Sequence, residues 1–302
     1  MHDSLFTMLK DIGWESDYQP NITREEVRQR HDGYQGLIVR SKTTIDRELL
    51  GTNPTLKFIG RAGAGLDNLD LPYLLEKNIQ VLHASEGNRD AVGEHAVGLL
   101  LGLIRNIPRA DREVKNFVWA REANRGLELM GKTVGIIGYG NTGQAFARRL
   151  SGFGCNVLAY DKYKTNFSDA FCKEVELEKI FEEAEIVSLH IPLTDETRML
   201  ADINYFKQFK KPIILINTAR GEIVSLGAVV KAFEEGLVRG AALDVLENEK
   251  LEKLTSEQRE AFNSLRERSD VILTPHIAGW TFESHVKINV ALVQKISALR
   301  LG

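Results

Sequence analysis

The sequence predicts an α/β protein built from two doubly wound, parallel-sheet domains. Three observations predict it. Short apolar runs alternate with helical patterns along most of the chain, which is how parallel sheets with right-handed crossovers read. A G-x-G-x-x-G string stands mid-chain at Gly138, Gly140 and Gly143, so more than one hundred residues precede it. The 302 residues suffice for two domains of ordinary size, with 43% hydrophobic residues to fill their cores.

A helix is expected within about residues 2–12, where Met1-His-Asp-Ser-Leu-Phe already begins it, with no strand before it. Residues 36–39, 56–59 and 79–82 read as strands, alternating with helical patterns at 23–31, 45–51 and 70–77. From Ala91 to Arg105 runs a strongly apolar helix, with Val92, Ala96, Leu99, Leu100, Leu103 and Ile104 spaced for one broad buried face. Residues 106–130 are polar and mixed, Trp119 among them. Further strands are expected at 133–137, 156–160, 186–189, 213–216, 240–243 and 271–273, separated mostly by helical stretches. A last helix, about 281–298, is expected to fold back onto the first domain.

The glycine string has a setting that gives it meaning. Val134 to Ile137 is a short buried strand, and Thr142 to Leu150 reads as a helix. The first glycine permits the tight turn, the second lets a pyrophosphate approach the backbone, and the third lets helix pack on strand. The helix N-terminus offers N–H groups and a positive dipole end to phosphates. Eighteen residues past Gly143 stands Asp161, at the end of the next strand, where a carboxylate can bind ribose hydroxyls. Some other glycine-rich α/β turn is the bland alternative. Strand, helix and acid together favour a Rossmann-like dinucleotide site, with Gly138, Tyr139, Gly140, Asn141, Thr142, Gly143 and Asp161 as cofactor contacts and NAD as the cofactor.

Three later strand ends carry groups able to do chemistry. One ends in Thr218-Ala-Arg-Gly221, the next in Asp244-Val-Leu-Glu-Asn-Glu249, the third in Thr274-Pro-His-Ile-Ala-Gly-Trp280. An Arg-Gly pair is often only a turn, and a His after Pro only a loop residue. On successive strand ends beside a nucleotide fold they supply what hydride and proton transfer on a hydroxy acid needs. A guanidinium fork suits carboxylate and carbonyl oxygens. An imidazole exchanges the hydroxyl proton near neutral pH, and a carboxylate on its second nitrogen orients it.

Composition excludes other classes. Basic residues number 39 against 42 acidic, a net charge of −3, so no basic excess exists to neutralise nucleic acid or a membrane surface. Cys155 and Cys172 lack metal-ligand spacing and read as inert residues of a reducing compartment. No apolar run is long enough to span a bilayer, so a cytoplasmic protein is expected. No metal is expected either, because Arg220 and the backbone of residues 62–65 can do the electrophilic work.

The chain resembles the D-isomer-specific 2-hydroxyacid dehydrogenase family, and within it most the D-3-phosphoglycerate dehydrogenase branch. The carriers are Arg61-Ala-Gly-Ala-Gly-Leu-Asp-Asn-Leu-Asp70, the Gly138–Gly143 string, Asn217-Thr-Ala-Arg-Gly221, Ala242-Leu-Asp-Val245 and Thr274-Pro-His-Ile-Ala-Gly279. The resemblance implies that Arg220 binds substrate carboxylate and carbonyl oxygens. It implies that His276 is the acid/base, paired to Glu249, with Glu247 the near rival. It implies backbone N–H groups of Ala62, Gly63, Ala64 and Gly65 toward substrate. Thr218, Ala219 and Asp244 would line the nicotinamide pocket, Gly279 would be a further cofactor contact, and His190 and Pro192 would lie on the adenine side. Arg40 and Ser41, with Lys42 assisting, would hold a substrate phosphate; capping of the helix near Asp46 by Ser41 to Thr44, with Arg40 exposed, is the bland alternative. His95 reads as a packed or interface histidine. Where the family usually has proline after the glutamate, Lys250 stands here.

The resemblance further implies a substrate domain of 1–87 plus 278–302, lacking the family's leading strand, and an NAD domain of 88–277, with catalysis in the cleft between. The expected activity is NAD-dependent interconversion of a 2-hydroxy acid and its 2-keto acid. The first choice is 3-phosphoglycerate, in serine biosynthesis, and the alternative a glyoxylate or hydroxypyruvate reductase. A nucleotide-sensing corepressor-like scaffold is a remoter reading. A homodimer through the cofactor domain is expected.

Overall fold

The computed structural model describes residues 2–299. The chain divides into two compact units, one of Met1–Arg89 with Trp280–Gly302, the other of Asp90–Gly279. The α/β class is as expected, with one parallel sheet in each unit.

The first unit begins with helix α1 (Ser4–Asp11) and α2 (Arg24–Arg30), followed by β1 (Gly36–Val39), α3 (Arg47–Leu50), β2 (Phe58–Arg61), α4 (Leu71–Glu76) and β3 (Gln80–His83). Its sheet has the order β1-β2-β3, all parallel. Strand β2 begins two residues later than the sequence pattern suggests. Parallel pairing places Phe58 opposite Gly36, and Leu56 is buried from the preceding loop instead. A cavity of about 800 Å³ lies against β1 and the 13–20 segment, with Leu5, Leu9, Trp14 and Phe58 on its walls.

The second unit runs α5 (Arg89–Ile104), α6 (Ile107–Lys115), β4 (Thr133–Ile137), α7 (Asn141–Leu150), β5 (Asn156–Tyr160), β6 (Lys173–Glu174) and α8 (Leu177–Glu183). It continues through β7 (Ile186–Leu189), α9 (Ile203–Phe206), β8 (Ile213–Asn217), α10 (Leu226–Glu234), β9 (Val238–Leu243), α11 (Ser256–Arg266) and β10 (Val271–Leu273). Helix α12 (Phe282–Ser297) then returns to the first unit, where Ile288, Leu292 and Ile296 pack with Leu5 and Leu9 of α1.

The seven-stranded sheet has the order β10-β9-β8-β7-β4-β5-β6, parallel throughout. Alternation along each strand feeds two cores. Ile213 and Leu215 of β8 enter one, and Ile214 and Ile216 enter the other, with Leu99, Leu100 and Leu103 of α5. Strands buried on both faces read as continuous apolar runs. Helix α6, within the stretch read as polar and mixed, buries none of its residues, and its apolar face of Ile107, Ala110 and Val114 is narrow.

Candidate functional site

Strand register assembles the site. Tyr160, Ile137, Leu189, Asn217, Leu243 and Leu273 are successive partners across the large sheet. The residues that follow them are Asp161, Gly138, His190, Thr218, Asp244 and Thr274. Sequence positions more than one hundred residues apart thus reach one carboxyl edge, and the strand order reverses beside β4, where such sheets bind ligands.

At the end of β4 the glycines act differently from one another. Gly138 has φ +94°, and a Cβ there would lie 2.6 Å from the His190 carbonyl oxygen. A Cβ on Gly143 would lie 2.2 Å from the Gly138 carbonyl oxygen, whereas one on Gly140 would meet open space. The turn is therefore packed below and open above at its middle glycine, a cradle that fits a pyrophosphate. Asp161 accepts hydrogen bonds from the Tyr139 N–H at 2.8 Å and the Tyr163 N–H at 3.0 Å. Tyr139 itself is 1% exposed, its hydroxyl donating to Asp169 at 2.8 Å, so only its backbone is placed for a cofactor. Lys162, next to Asp161, is drawn away into an ion pair with Glu196. Thr218 Oγ1 is buried without a hydrogen-bond partner among the described residues, an orphan that a cofactor group would satisfy.

His190 is buried. Its ring bonds Ser188 Oγ at 2.8 Å and Thr142 Oγ1 at 3.2 Å, and burial pushes its pKa down to about 3. A neutral imidazole that braces the glycine-rich helix suits a supporting role. Pro192 is exposed on the following loop, where its carbonyl accepts from Thr197 Oγ1 at 2.7 Å.

The acidic loop after β9 and the turn after β10 meet. His276 Nδ1 lies 2.8 Å from Glu249 Oε1. The hydrogen bond to Glu249 raises the imidazole pKa, against an opposing push from burial and from the Arg220 charge. Glu247 is otherwise engaged, accepting from the Leu226 N–H at 3.1 Å and Gln258 Nε2 at 3.0 Å. His276 has φ +54°, a strained conformation for a non-glycine residue, held by its N–H donating to the Asp244 carbonyl at 2.7 Å. Burial would raise the Asp244 pKa, but donors from His95, Thr274, Ile277 and Ala278 hold it below the usual value.

Arg220 is set by a residue the sequence reading did not single out for the site. Asn217, fully buried at the end of β8, donates to the Arg220 carbonyl at 2.9 Å and accepts from the Ala219 N–H at 3.0 Å. Its side chain closes the turn that projects the guanidinium. Gly279 ends the turn after β10, at the last residue of this unit.

In the first unit, Arg40 and Ala62 follow the register partners Val39 and Arg61. Arg40 is half-buried, its guanidinium 4.6 Å from the Trp280 ring centroid, and the His285 ring stands edge-on to Trp280 at 4.7 Å. Burial lowers the Arg40 pKa, and His285 Nε2 is buried with no partner among the described residues. Neither Trp280 nor His285 was singled out from sequence, because their approach to Arg40 spans most of the chain. Ser41 is exposed, and Lys42 Nζ donates to the Ile22 carbonyl at 3.1 Å, which turns it from the site. The cap of α3 is Asp46 itself, through the Leu49 N–H at 2.9 Å, and not Ser41 to Thr44. The expectation of four substrate-facing N–H groups needs correction. Those of Ala62 and Gly63 donate to the Val39 and Arg61 carbonyls at 2.8 Å each, leaving Ala64 and Gly65.

Among the described residues no cluster of three or more His, Cys, Asp or Glu is placed to hold a metal ion, and no helix is long and apolar enough to cross a membrane.

Residues 97–278 match the NAD-binding domain of D-isomer specific 2-hydroxyacid dehydrogenases. The chain is 38% identical to a hydroxypyruvate reductase of Thermotoga maritima, over 86% of this chain and 83% of that protein. It is 35% identical to a D-3-phosphoglycerate dehydrogenase of Archaeoglobus fulgidus, over 97% of this chain and 55% of that protein. The chain thus spans about half the length of the phosphoglycerate dehydrogenases it matches. Its fold is that of a D-lactate dehydrogenase from Aquifex aeolicus complexed with NAD and lactic acid, at a TM-score of 0.84 and 27% identity, covering 99% of this chain and 93% of that one. With a cradle that fits a dinucleotide and a match over most of its length, the chain belongs to the D-isomer specific 2-hydroxyacid dehydrogenase family.

Proposed function

We propose that the protein is an NAD-dependent oxidoreductase that interconverts a D-2-hydroxy acid and its 2-keto acid. The observation that carries this reading is the His276–Glu249 pair, 2.8 Å apart, with the Arg220 charge beside it on the same sheet edge as the glycine cradle. Bound NAD would supply the hydride acceptor, held by the Gly138–Gly143 turn, Asp161, Thr218 and Ala219. Glu249 keeps the His276 Nδ1–H, so Nε2 is the nitrogen left to take the substrate hydroxyl proton. In reduction the imidazolium returns that proton to the keto oxygen. Arg220 holds the substrate carboxylate and polarises the carbonyl. Turnover of a panel of 2-keto acids with NADH tests the reading; no turnover of any would overturn it.

The raised His276 pKa fixes the sign of a pH effect. Reduction needs the imidazolium, so kcat/KM should be flat at low pH and fall as pH rises through a value above 6.5. Glu249→Gln removes the charge that sustains the imidazolium, and the falling limb should move to lower pH. Superimposable profiles of variant and wild type would show that Glu249 does not set the protonation.

Asp161 supports a preference for NADH, because a 2′-phosphate would meet its charge. Wild type should favour NADH over NADPH by about tenfold or more, the equivalent of about 1.4 kcal/mol. Asp161→Ser should narrow that ratio. Equal wild-type kcat/KM for both cofactors would remove this role.

For the substrate we infer a phosphorylated three-carbon acid, 3-phosphoglycerate and its keto form. Arg40, stacked on Trp280 near the unpartnered His285 Nε2, supports an anion site. A charge-assisted hydrogen bond contributes roughly 1.5–3 kcal/mol. Arg40→Ala should therefore weaken phosphohydroxypyruvate about tenfold to hundredfold and leave hydroxypyruvate nearly unchanged. Equal harm to both would favour the second reading, a hydroxypyruvate or glyoxylate reductase, which the Thermotoga maritima relative supports.

Exposed apolar side chains on and after α6, among them Ile107, Val114, Phe117 and Trp119, support a homodimer through this unit. The free Cys155 and Cys172 suit a reducing, cytoplasmic setting.

A further inference from the structure

Asp244 is 1% exposed, and its oxygens are committed to the turn that carries His276. Oδ1 accepts from Thr274 Oγ1 at 2.6 Å and the Ile277 N–H at 2.9 Å, and Oδ2 from the Ala278 N–H at 2.8 Å. With the His276 N–H on its own carbonyl, Asp244 clamps the whole 274–278 turn. The left-handed backbone of His276 persists because the surrounding bonds over-determine it.

One more contact comes from outside the turn. His95 projects from α5 and places Nε2 3.2 Å from Thr274 Oγ1 and 3.4 Å from Asp244 Oδ1. The Thr274 hydroxyl proton is already directed at Asp244, so Thr274 meets His95 with a lone pair. Both neighbours of Nε2 are therefore acceptors, and Nε2 carries a proton in either charge state of the ring. A packed or interface histidine would account for its place on an apolar helix but not for this donor.

We propose that His95 is a positioning residue for the catalytic turn. Its Nε2–H braces Thr274 and Asp244 from the helix side, and through them fixes the placement of the His276 ring. The proposal rests on the reading of His276 as the proton-transfer group.

Two variants separate the donor from the packing. His95→Phe keeps a ring and removes the donor, whereas His95→Gln restores an N–H at similar reach. His95→Phe should lower kcat about tenfold or more, the scale of one charge-assisted hydrogen bond, with the KM for NADH unchanged. His95→Gln should recover most of the loss. NADH binding and the melting temperature of both variants establish that they fold. A His95→Phe enzyme within twofold of wild type, or equal damage in both variants, would overturn the proposal. His276→Ala in the same assay separates the two layers. If it is inactive beside an unimpaired His95→Phe, this proposal alone falls; if it is active, both fall together.

Discussion

His276→Ala should lower kcat by about 10²–10⁴-fold, the usual cost of losing general acid/base catalysis, while NADH still binds. The separation follows from the placement of the groups. The glycine cradle and Asp161 lie at the ends of β4 and β5, whereas His276 lies past the end of β10, at the other side of the sheet. The ring is substantially exposed, at 44% of its side-chain surface, so its removal leaves no buried cavity and little loss of stability. What disappears is the proposed proton donor, whose Nδ1 side is fixed by Glu249 and whose backbone is fixed by Asp244. Kinetics with the preferred keto acid and fluorescence titration with NADH would measure the two effects separately. A variant turning over within threefold of wild type would remove His276 from the chemistry.

The groups in this prediction were legible in the sequence for a physical reason. A parallel sheet delivers function at strand ends, so each group sits in a short motif directly after an apolar run. Thr218-Ala-Arg-Gly221 and Thr274-Pro-His276 could be found locally. Contacts between distant segments could not. His95 reaches Thr274 across 179 positions, and neither residue marks the other in sequence. The choice between Glu247 and Glu249 was similar: only the bonds of Glu247 to α10 and α11 make it a brace. Helix α6 escaped because its few apolar residues, Ile107, Ala110 and Val114, are outnumbered by charged neighbours and none of them is buried. The two-residue strand β6 escaped because Lys173 and Glu174 pair only at the sheet edge, where polar side chains are tolerated.

Gly221→Ala should be nearly as damaging to turnover, although Gly221 is proposed to touch neither substrate nor cofactor. It follows Arg220 and lies against the loop that carries Glu249. An added Cβ would sit 1.8 Å from the Leu246 carbonyl oxygen and 2.7 Å from the Glu247 N–H nitrogen. Backbone is the obstacle, so no side chain can rotate away. The 244–249 loop or the 218–221 turn must move by about 1 Å, and a misplacement of that size can cost about 10²-fold in rate. Overpacking of this kind also costs about 1–3 kcal/mol, which should lower the melting temperature by several degrees. Both displaced segments carry proposed catalytic groups, Arg220 on one and Glu249 on the other. The loss should therefore appear in kcat, while NADH titration stays close to wild type. Gly152→Ala is the control, because its added Cβ meets nothing within 4 Å. Gly221→Ala with unchanged kcat and melting temperature would mean that the two segments are not packed as closely as this.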